Sequence, residues 1–216
     1  MRLSFGKAVH CEDGSFGELA DVVVDPATMR LTHLITSPPT AEPRLIPIEL
    51  AEPNGDGGDV TLRCTLAATE QLPSVLEYRN LRSAEQPPEE AGWDEGVEHV
   101  LTVPYDGIGI GLGQYDGVQA SLDVSYDRVP KGSAELRRAS SVVTAGGHYL
   151  GGIQGFGLDE SGRITDVVVD ESHFWSRREI TIPVDAVQAL ATDTVTIGLS
   201  SEEVAELPAV RVRRWF

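Results

Sequence analysis

Five histidines, two cysteines, two lysines and a scatter of carboxylates are the side chains of this 216-residue chain that could move a proton, attack an electrophile or hold a metal. Acid–base or metal chemistry needs at least two polar groups converging at a workable spacing. His10, His33, His99, His148 and His173 stand apart, with no His-x-His and no HExxH pattern. A serine nucleophile of the GxSxG kind is absent as well. Cys11 and Cys64 belong to no CxxC pair and read as packing residues. Lys7 and Lys131 lie outside any P-loop pattern, and the glycine-rich run from Gly107 to Gly113 misses the GxGxxG dinucleotide spacing from either Gly107 or Gly109. Asp25 and Asp159 stand where a carboxylate can bond to the backbone N–H groups of its own turn, and neither opens a twelve-residue calcium loop. The expectation is a protein that is not an enzyme, with no catalytic residue, no metal ligand and no cofactor.

Two groups of side chains suit contact with another macromolecule instead. One is Trp175 with Arg177 and Arg178; the other is the basic and aromatic C-terminal tail, with Arg211, Arg213, Arg214, Trp215 and Phe216. Trp and Arg combine a large contact area with directional hydrogen bonding, which is why they concentrate at binding hot spots. These eight residues are the candidate partner-binding set. Each group also has a reading inside the fold: the tail as an edge strand with Val210 and Val212 turned inward, and Trp175 as a hairpin residue covering the end of its own unit.

The elements that position these residues come as a repeat with an offset near 134. Asp13-Gly14-Ser15-Phe16-Gly17 followed by Asp21-Val22-Val23-Val24-Asp25 is answered by Gly146-Gly147 through Gly151-Gly152-Ile153 and then Phe156-Gly157-Leu158-Asp159. Leu31-Thr32-His33-Leu34-Ile35 is answered by Ile164-Thr165-Asp166-Val167-Val168, Ile46-Pro47-Ile48-Glu49 by Ile182-Pro183-Val184-Asp185, and Val60-Thr61-Leu62 by Val195-Thr196-Ile197. Chance rarely keeps four such anchors in order. The runs are β-branched and bounded by Gly, Pro or Asp, which predicts short strands. Asp13-Gly14 is a hairpin-turn signal. Gly17 and Gly151 inside strands predict a bulge or a close backbone approach. Ser200 with Glu203 predicts a capped short helix closing the second unit, halted by Pro208 as Pro73 halts the first. Gly14, Gly17, Pro47, Gly147, Gly151 and Pro183 are thus the expected structural positions.

The order Asp-Gly-x-x-Gly-x-Leu, apolar strand, Asp, turn, Leu-Thr-His-Leu-Ile, Ile-Pro-Ile-Glu resembles the PRC-barrel domain. The stretch from Tyr126-Asp127-Arg128-Val129-Pro130 through Phe174-Trp175-Ser176-Arg177-Arg178-Glu179-Ile180-Thr181-Ile182-Pro183 resembles it more strongly. The whole arrangement is similar to uncharacterised bacterial proteins with two PRC-barrels joined by a glycine-rich segment. The resemblance implies a mainly β fold: two small β-barrels, each with a short C-terminal helix, related by internal duplication. It places unit one at residues 1–80, a Pro/Gly-rich connecting segment at 81–125, and unit two with the tail at 126–216. It further implies an interaction or assembly module whose partner is an unknown protein, possibly a second copy of the chain. The best-known carriers are the cytoplasmic part of the photosynthetic reaction-centre H subunit and a ribosome maturation factor, which leaves an RNA- or ribosome-associated accessory factor as the alternative. The chain departs from both, lacking the membrane helix of the first and the N-terminal RNA-associated domain of the second.

Charge bears on that alternative. With 34 acidic and 17 basic side chains the formal charge is −17, spread evenly as −6, −6 and −5 over residues 1–80, 81–140 and 141–216. A field of that sign repels phosphate backbones and anionic lipid leaflets, so nucleic-acid binding is disfavoured. No apolar run reaches the roughly 18 residues of a membrane span, and the N-terminus has no signal-like apolar core. The expected address is the cytoplasm. The segment Gln86-Pro87-Pro88-Glu89-Glu90 and the Gly/Ile alternation that follows read as a solvated tether with apolar anchors.

Overall fold

The computed structural model describes residues 2–39, 41–54, 58–82, 92–100, 121–173, 176–207 and 209–210. The alternating and β-branched runs form strands almost throughout. The first half carries β1 (Arg2–Ser4), β2 (Ala8–Cys11), β3 (Gly14–Asp25), β4 (Arg30–Ser37), β5 (Arg44–Pro47), β6 (Ala51–Asn54), β7 (Asp59–Leu62) and the single-turn helix α1 (Leu66–Thr69). Then come β8 (Leu76–Arg82), β9 (Trp93–Val100) and β10 (Ser121–Pro130). The second half carries β11 (Ala134–Arg137), β12 (Ser141–Thr144), β13 (Tyr149–Leu158), β14 (Ile164–His173), β15 (Ser176–Pro183), β16 (Val187–Ala191), β17 (Thr194–Ile197), α2 (Ser201–Ala205) and β18 (Ala209–Val210).

One large sheet runs β6-β7-β2-β3-β4-β5, the other β16-β17-β12-β13-β14-β15 with β18 added at its end. The two orders agree strand for strand, including a parallel pairing in each, β2 with β7 and β12 with β17. Pro47 and Pro183 end β5 and β15 and open 3-10 turns, Ile48–Leu50 and Val184–Ala186. Because each turn joins the two ends of its own sheet path in three residues, each sheet must coil back on itself. Closed barrels were expected, and that expectation is corrected: among the described residues no ladder closes either ring. At the closing point the backbone N–H of Ala51 is taken by Ile48 O and that of Val187 by Val184 O, so the turn uses donors that a closing strand pair would need.

The first strand of each half belongs to the other half's sheet. One edge of β3 pairs with β2 along Gly14–Glu18 and with β11 along Asp21–Val24. The matching edge of β13 pairs with β12 along Tyr149–Gly152 and with β1 along Gly155–Gly157. Leu3 on β1 and Leu136 on β11 are fully buried by this exchange, each contributing about 1.5–3 kcal/mol of apolar burial. A single apolar cluster consequently contains residues of both halves, with Phe5 meeting Phe156 edge to face at 5.9 Å between ring centroids.

Bulges bend the long strands where glycine was expected to matter. The ladder slips one residue beside Gly17 and again beside Gly151. A Cβ on Gly17 would lie 2.5 Å from Ser37 O, and one on Gly151 would lie 2.2 Å from Asp170 O. Gly147, at φ +80, turns the hairpin between β12 and β13. In the first half the hairpin turn is Glu12-Asp13 and not Asp13-Gly14, since Gly14 already pairs with Cys11. Asp13 is instead turned toward α1, accepting a hydrogen bond from Leu66 N at 2.8 Å. Ser200 and Glu203 form a reciprocal capping box on α2, and Thr65 caps α1 on Ala68 N.

The connecting segment departs from a simple tether. β9 pairs with β10, and β10 with β8, in a three-stranded sheet. Trp93 stacks on the guanidinium of Arg128 at 5.0 Å, and Val75 and Val129 join Val23, Ile35 and Leu45 in a second apolar cluster. Within the connecting segment the strands cover residues 81–82, 93–100 and 121–125, and the Pro/acidic stretch Gln86 to Glu90 lies outside the described residues. The Gly107 to Gly113 run lies outside the described residues. Among the described residues no helix is long and apolar enough to cross a membrane.

Candidate functional site

The tips of two corresponding hairpins meet at the junction of the halves. In the β3–β4 tip, Asp25 accepts from Ala27 N at 2.9 Å and from Thr28 Oγ1 at 2.7 Å. In the β13–β14 tip, Asp159 accepts from Ser161 N, Ser161 Oγ and Arg163 N at 2.8, 2.7 and 3.0 Å. The Thr28 and Ser161 hydroxyls are the main causes holding these two carboxyls below the usual range, so both are ionised at neutral pH. The tips pair through Leu31 N to Gly162 O at 3.1 Å and Ile164 N to Met29 O at 2.9 Å, and the Arg30 guanidinium donates to Ser161 O.

This contact lays the second tip across β4 and forms one wall of an open cleft of about 840 Å³, within the size range of small-molecule sites. Its walls come from β4, from the 3-10 turn after Pro47, and from residues 158–162 of the other half. His33 lines it, and the local backbone explains how. The β3–β4 ladder passes from the Val24–Leu31 pair to the Val23–His33 pair, leaving Thr32 as the extra residue of a bulge. Thr32 Oγ1 donates to Val23 O at 3.1 Å and lies 3.1 Å from His33 Nδ1. In the tautomer with its proton on Nδ1, the ring donates to Thr32 Oγ1, the hydroxyl donates to Val23 O, and Nε2 is the proton-free nitrogen. Burial lowers the His33 pKa and the Glu49 carboxylate opposes this only in part, so the imidazole is neutral at pH 7. The site therefore offers a neutral nitrogen acceptor and ionised carboxylates beside the apolar side chains of Leu31, Ile48 and Leu158.

The residues singled out from sequence fall elsewhere. Arg178 is engaged within the chain: its guanidinium donates to Ala205 O at 3.2 Å and to Leu207 O, and lies 3.9 Å from Glu171. It ties the end of α2 to β15. Arg177 pairs with Ser172 at the β14–β15 hairpin, while Trp175 and Arg211, Arg213, Arg214, Trp215 and Phe216 lie outside the described residues. Burial, followed by the charge of the neighbouring Cys64 thiol, pushes Cys11 up to about 12. A thiol so placed is no nucleophile near neutral pH.

Sequence reasoning passed over two constellations. Asp21, Asp127 and Glu135 converge from β3, β10 and β11 with carboxylate oxygens within 4.8 Å of one another, a donor set suited to a hard cation. Arg137 lies beside Asp21 and Glu135 and supplies positive charge there. No spacing in the chain signals this cluster, because it exists only through the strand exchange. The cavity did have a signal: His33 and Glu49 sit in two anchors of the repeat, and His33 is answered by a residue of different chemistry, Asp166. A comparison with protein-family models finds none that matches the chain, and a comparison with curated proteins finds no match either.

Proposed function

We propose that the chain is a non-enzymatic interaction or assembly module built from two PRC-barrel-like units related by duplication, and that its partner is another protein or a second copy of the chain. The observation that carries this reading is the reciprocal exchange of β1 and β11, which welds two units of the same strand order into one body. Matching contacts also recur within each half. Gly6 N donates to Leu19 O and Ala139 N to Ile153 O; Arg63 N donates to Leu50 O and Gly198 N to Ala186 O. A paired body with a shared core suits a platform that holds a partner in fixed geometry. The β14–β15 hairpin, which bears Trp175 and Arg177, and the tail after Val210 are the partner-facing elements in this reading.

The test uses the full chain as bait in its native cell, beside a chain lacking residues 211–216 and a Trp175→Ala variant, with sedimentation velocity of each purified protein. Near-stoichiometric recovery of one protein, or self-association of the bait, that is weakened by either change supports the reading. A monomer that retains nothing above background would end it.

A further inference from the structure

We propose that the cavity at the junction of the halves binds a small organic ammonium ion with an apolar body, its charge beside Glu49 and its N–H groups facing His33 Nε2. Charge selects the sign of the ligand. Among the described residues Asp25, Glu49, Asp159 and Glu160 line the cavity with one lining guanidinium, Arg30, which is bonded to Ser161 O, and the nearby Arg63 guanidinium, which donates to Glu49 O, is balanced by Glu52 at 3.5 Å. The chain as a whole carries −17, so a cation is drawn to the cleft and an anion is repelled.

Hydrogen bonding selects a donor. In the proposed site the ring is the tautomer in which Nδ1–H donates to Thr32 Oγ1 and that hydroxyl donates to Val23 O, which leaves Nε2 able only to accept. Carboxylates accept only as well. An ammonium N–H is the ligand group that satisfies both acceptors at once, whereas an alcohol brings one donor and a carboxylate none. Size and walls select an organic rather than a bare metal ion. The volume of about 840 Å³ far exceeds one hydrated cation, the half-buried Ile48 and Ala51 supply apolar surface, and among the described residues His33 and Glu49 belong to no convergent set of three potential metal ligands.

The repeat provides an internal control. At the positions answering His33 and Glu49 the second half has Asp166 and Asp185, and neither lines this cavity. Non-specific attraction to an acidic protein would be reduced equally by removing either Glu49 or Asp185, while a built site responds to Glu49 alone.

The experiment is calorimetric titration of the full chain with 2-phenylethylammonium, 2-phenylethanol and 3-phenylpropionate, three probes of one shape and different charge. The ammonium probe is expected to bind at least about tenfold tighter than the alcohol, with no binding of the carboxylate. Glu49→Gln should weaken the ammonium about fivefold or more and leave the melting temperature in place, since Glu49 is exposed. Asp185→Asn should leave affinity unchanged. The proposal is overturned if no ammonium binding is detected up to about 10 mM, if the alcohol binds as well, or if Asp185→Asn and Glu49→Gln weaken binding alike. Should Glu49→Gln lower the melting temperature, competition on the unaltered protein between the ammonium and alcohol probes decides the matter.

Discussion

The two halves place the same bulge at the same point of corresponding strands and then use it differently. In β4 the extra residue is Thr32, followed by His33; in β14 it is Thr165, followed by Asp166. Thr32 Oγ1 stands 3.1 Å from both Val23 O and the His33 imidazole, whereas Thr165 gives its proton to the Asp166 carboxylate at 2.7 Å. Strand order, proline turns and bulge positions agree between the halves, while the groups mounted on them do not. What the two halves share is the frame; the chemistry is specific to one half. The same contrast recurs at the turn between β6 and β7 and its counterpart between β16 and β17. Gly58 adopts φ +80 in the first, whereas Asp193 adopts φ +60 in the second and takes a bidentate pair from Arg137 at 3.1 and 2.7 Å.

The largest effect should come from the frame itself. Gly17→Ala and Gly151→Ala each drive a methyl group into a backbone carbonyl, Ser37 O and Asp170 O, which cannot rotate away. Each is expected to cost about 3 kcal/mol or more, with Gly151→Ala the more damaging because its contact is closer. Since one apolar cluster spans both halves, either substitution should shift a single cooperative urea transition. Two separate transitions, only one of them displaced, would show that the halves fold independently and that the exchanged strands are weakly held.

A smaller effect tests a feature present in one half only. Asp193 joins the β16–β17 turn to β11, the strand lent to the other sheet, through Arg137 and through Ser140 Oγ at 2.6 Å. Burial works against its ionisation, and the hydrogen bonds from Arg137 and Ser140 overcome it, so the carboxyl lies below its usual range. Asp193→Ala should lose about 1–2 kcal/mol, a figure kept low because both partners are more than a third exposed. Asp193→Gly copies the first half's solution at Gly58 and should be milder by roughly 1 kcal/mol, because glycine adopts positive φ without strain. Equal melting temperatures for the two variants would mean that backbone strain at this turn is negligible.

Local features of this fold were legible in the sequence, and contacts between halves were not. The strands, the two proline turns, the Ser200–Glu203 capping box and the tight glycines follow from β-branched runs and from residues with few allowed conformations, which act within a few positions of themselves. The turn carboxylates Asp25 and Asp159 were legible for the same reason. The exchange of β1 and β11 was not, because Arg2–Ser4 and Ala134–Arg137 carry the same pattern whichever sheet they join. Nor was the cavity, whose second wall comes from a hairpin about 130 residues away. In the connecting segment the pairing of β9 with β10 was not legible either, because it joins stretches about 30 residues apart that no local pattern links.

The smallest effect sharpens the contrast between His33 and Asp166. Burial depresses the folded-state pKa of His33 below the value near 6.5 expected of the unfolded chain. As pH falls through about 6.5, the unfolded state takes up a proton that the folded state refuses until its own, lower pKa is reached. Stability contributed by the neutral ring is therefore complete above about 6.5 and declines with acid across that window. The slope should be a fraction of one proton, since solvent reaches part of the ring and Glu49 opposes the shift. The depressed carboxyls of Asp25, Asp159, Asp193 and Glu203 act in a separate window: their contribution is present above about pH 4 and declines below it. Urea midpoints measured from pH 5 to 7 should thus fall more steeply for the unaltered chain than for His33→Asn, while Asp166→Asn should leave the slope of that interval as it is. Identical slopes for the unaltered chain and His33→Asn would mean that the imidazole is as free to protonate in the fold as in the open chain, and the first half's bulge would then differ from the second in sequence without differing in chemistry.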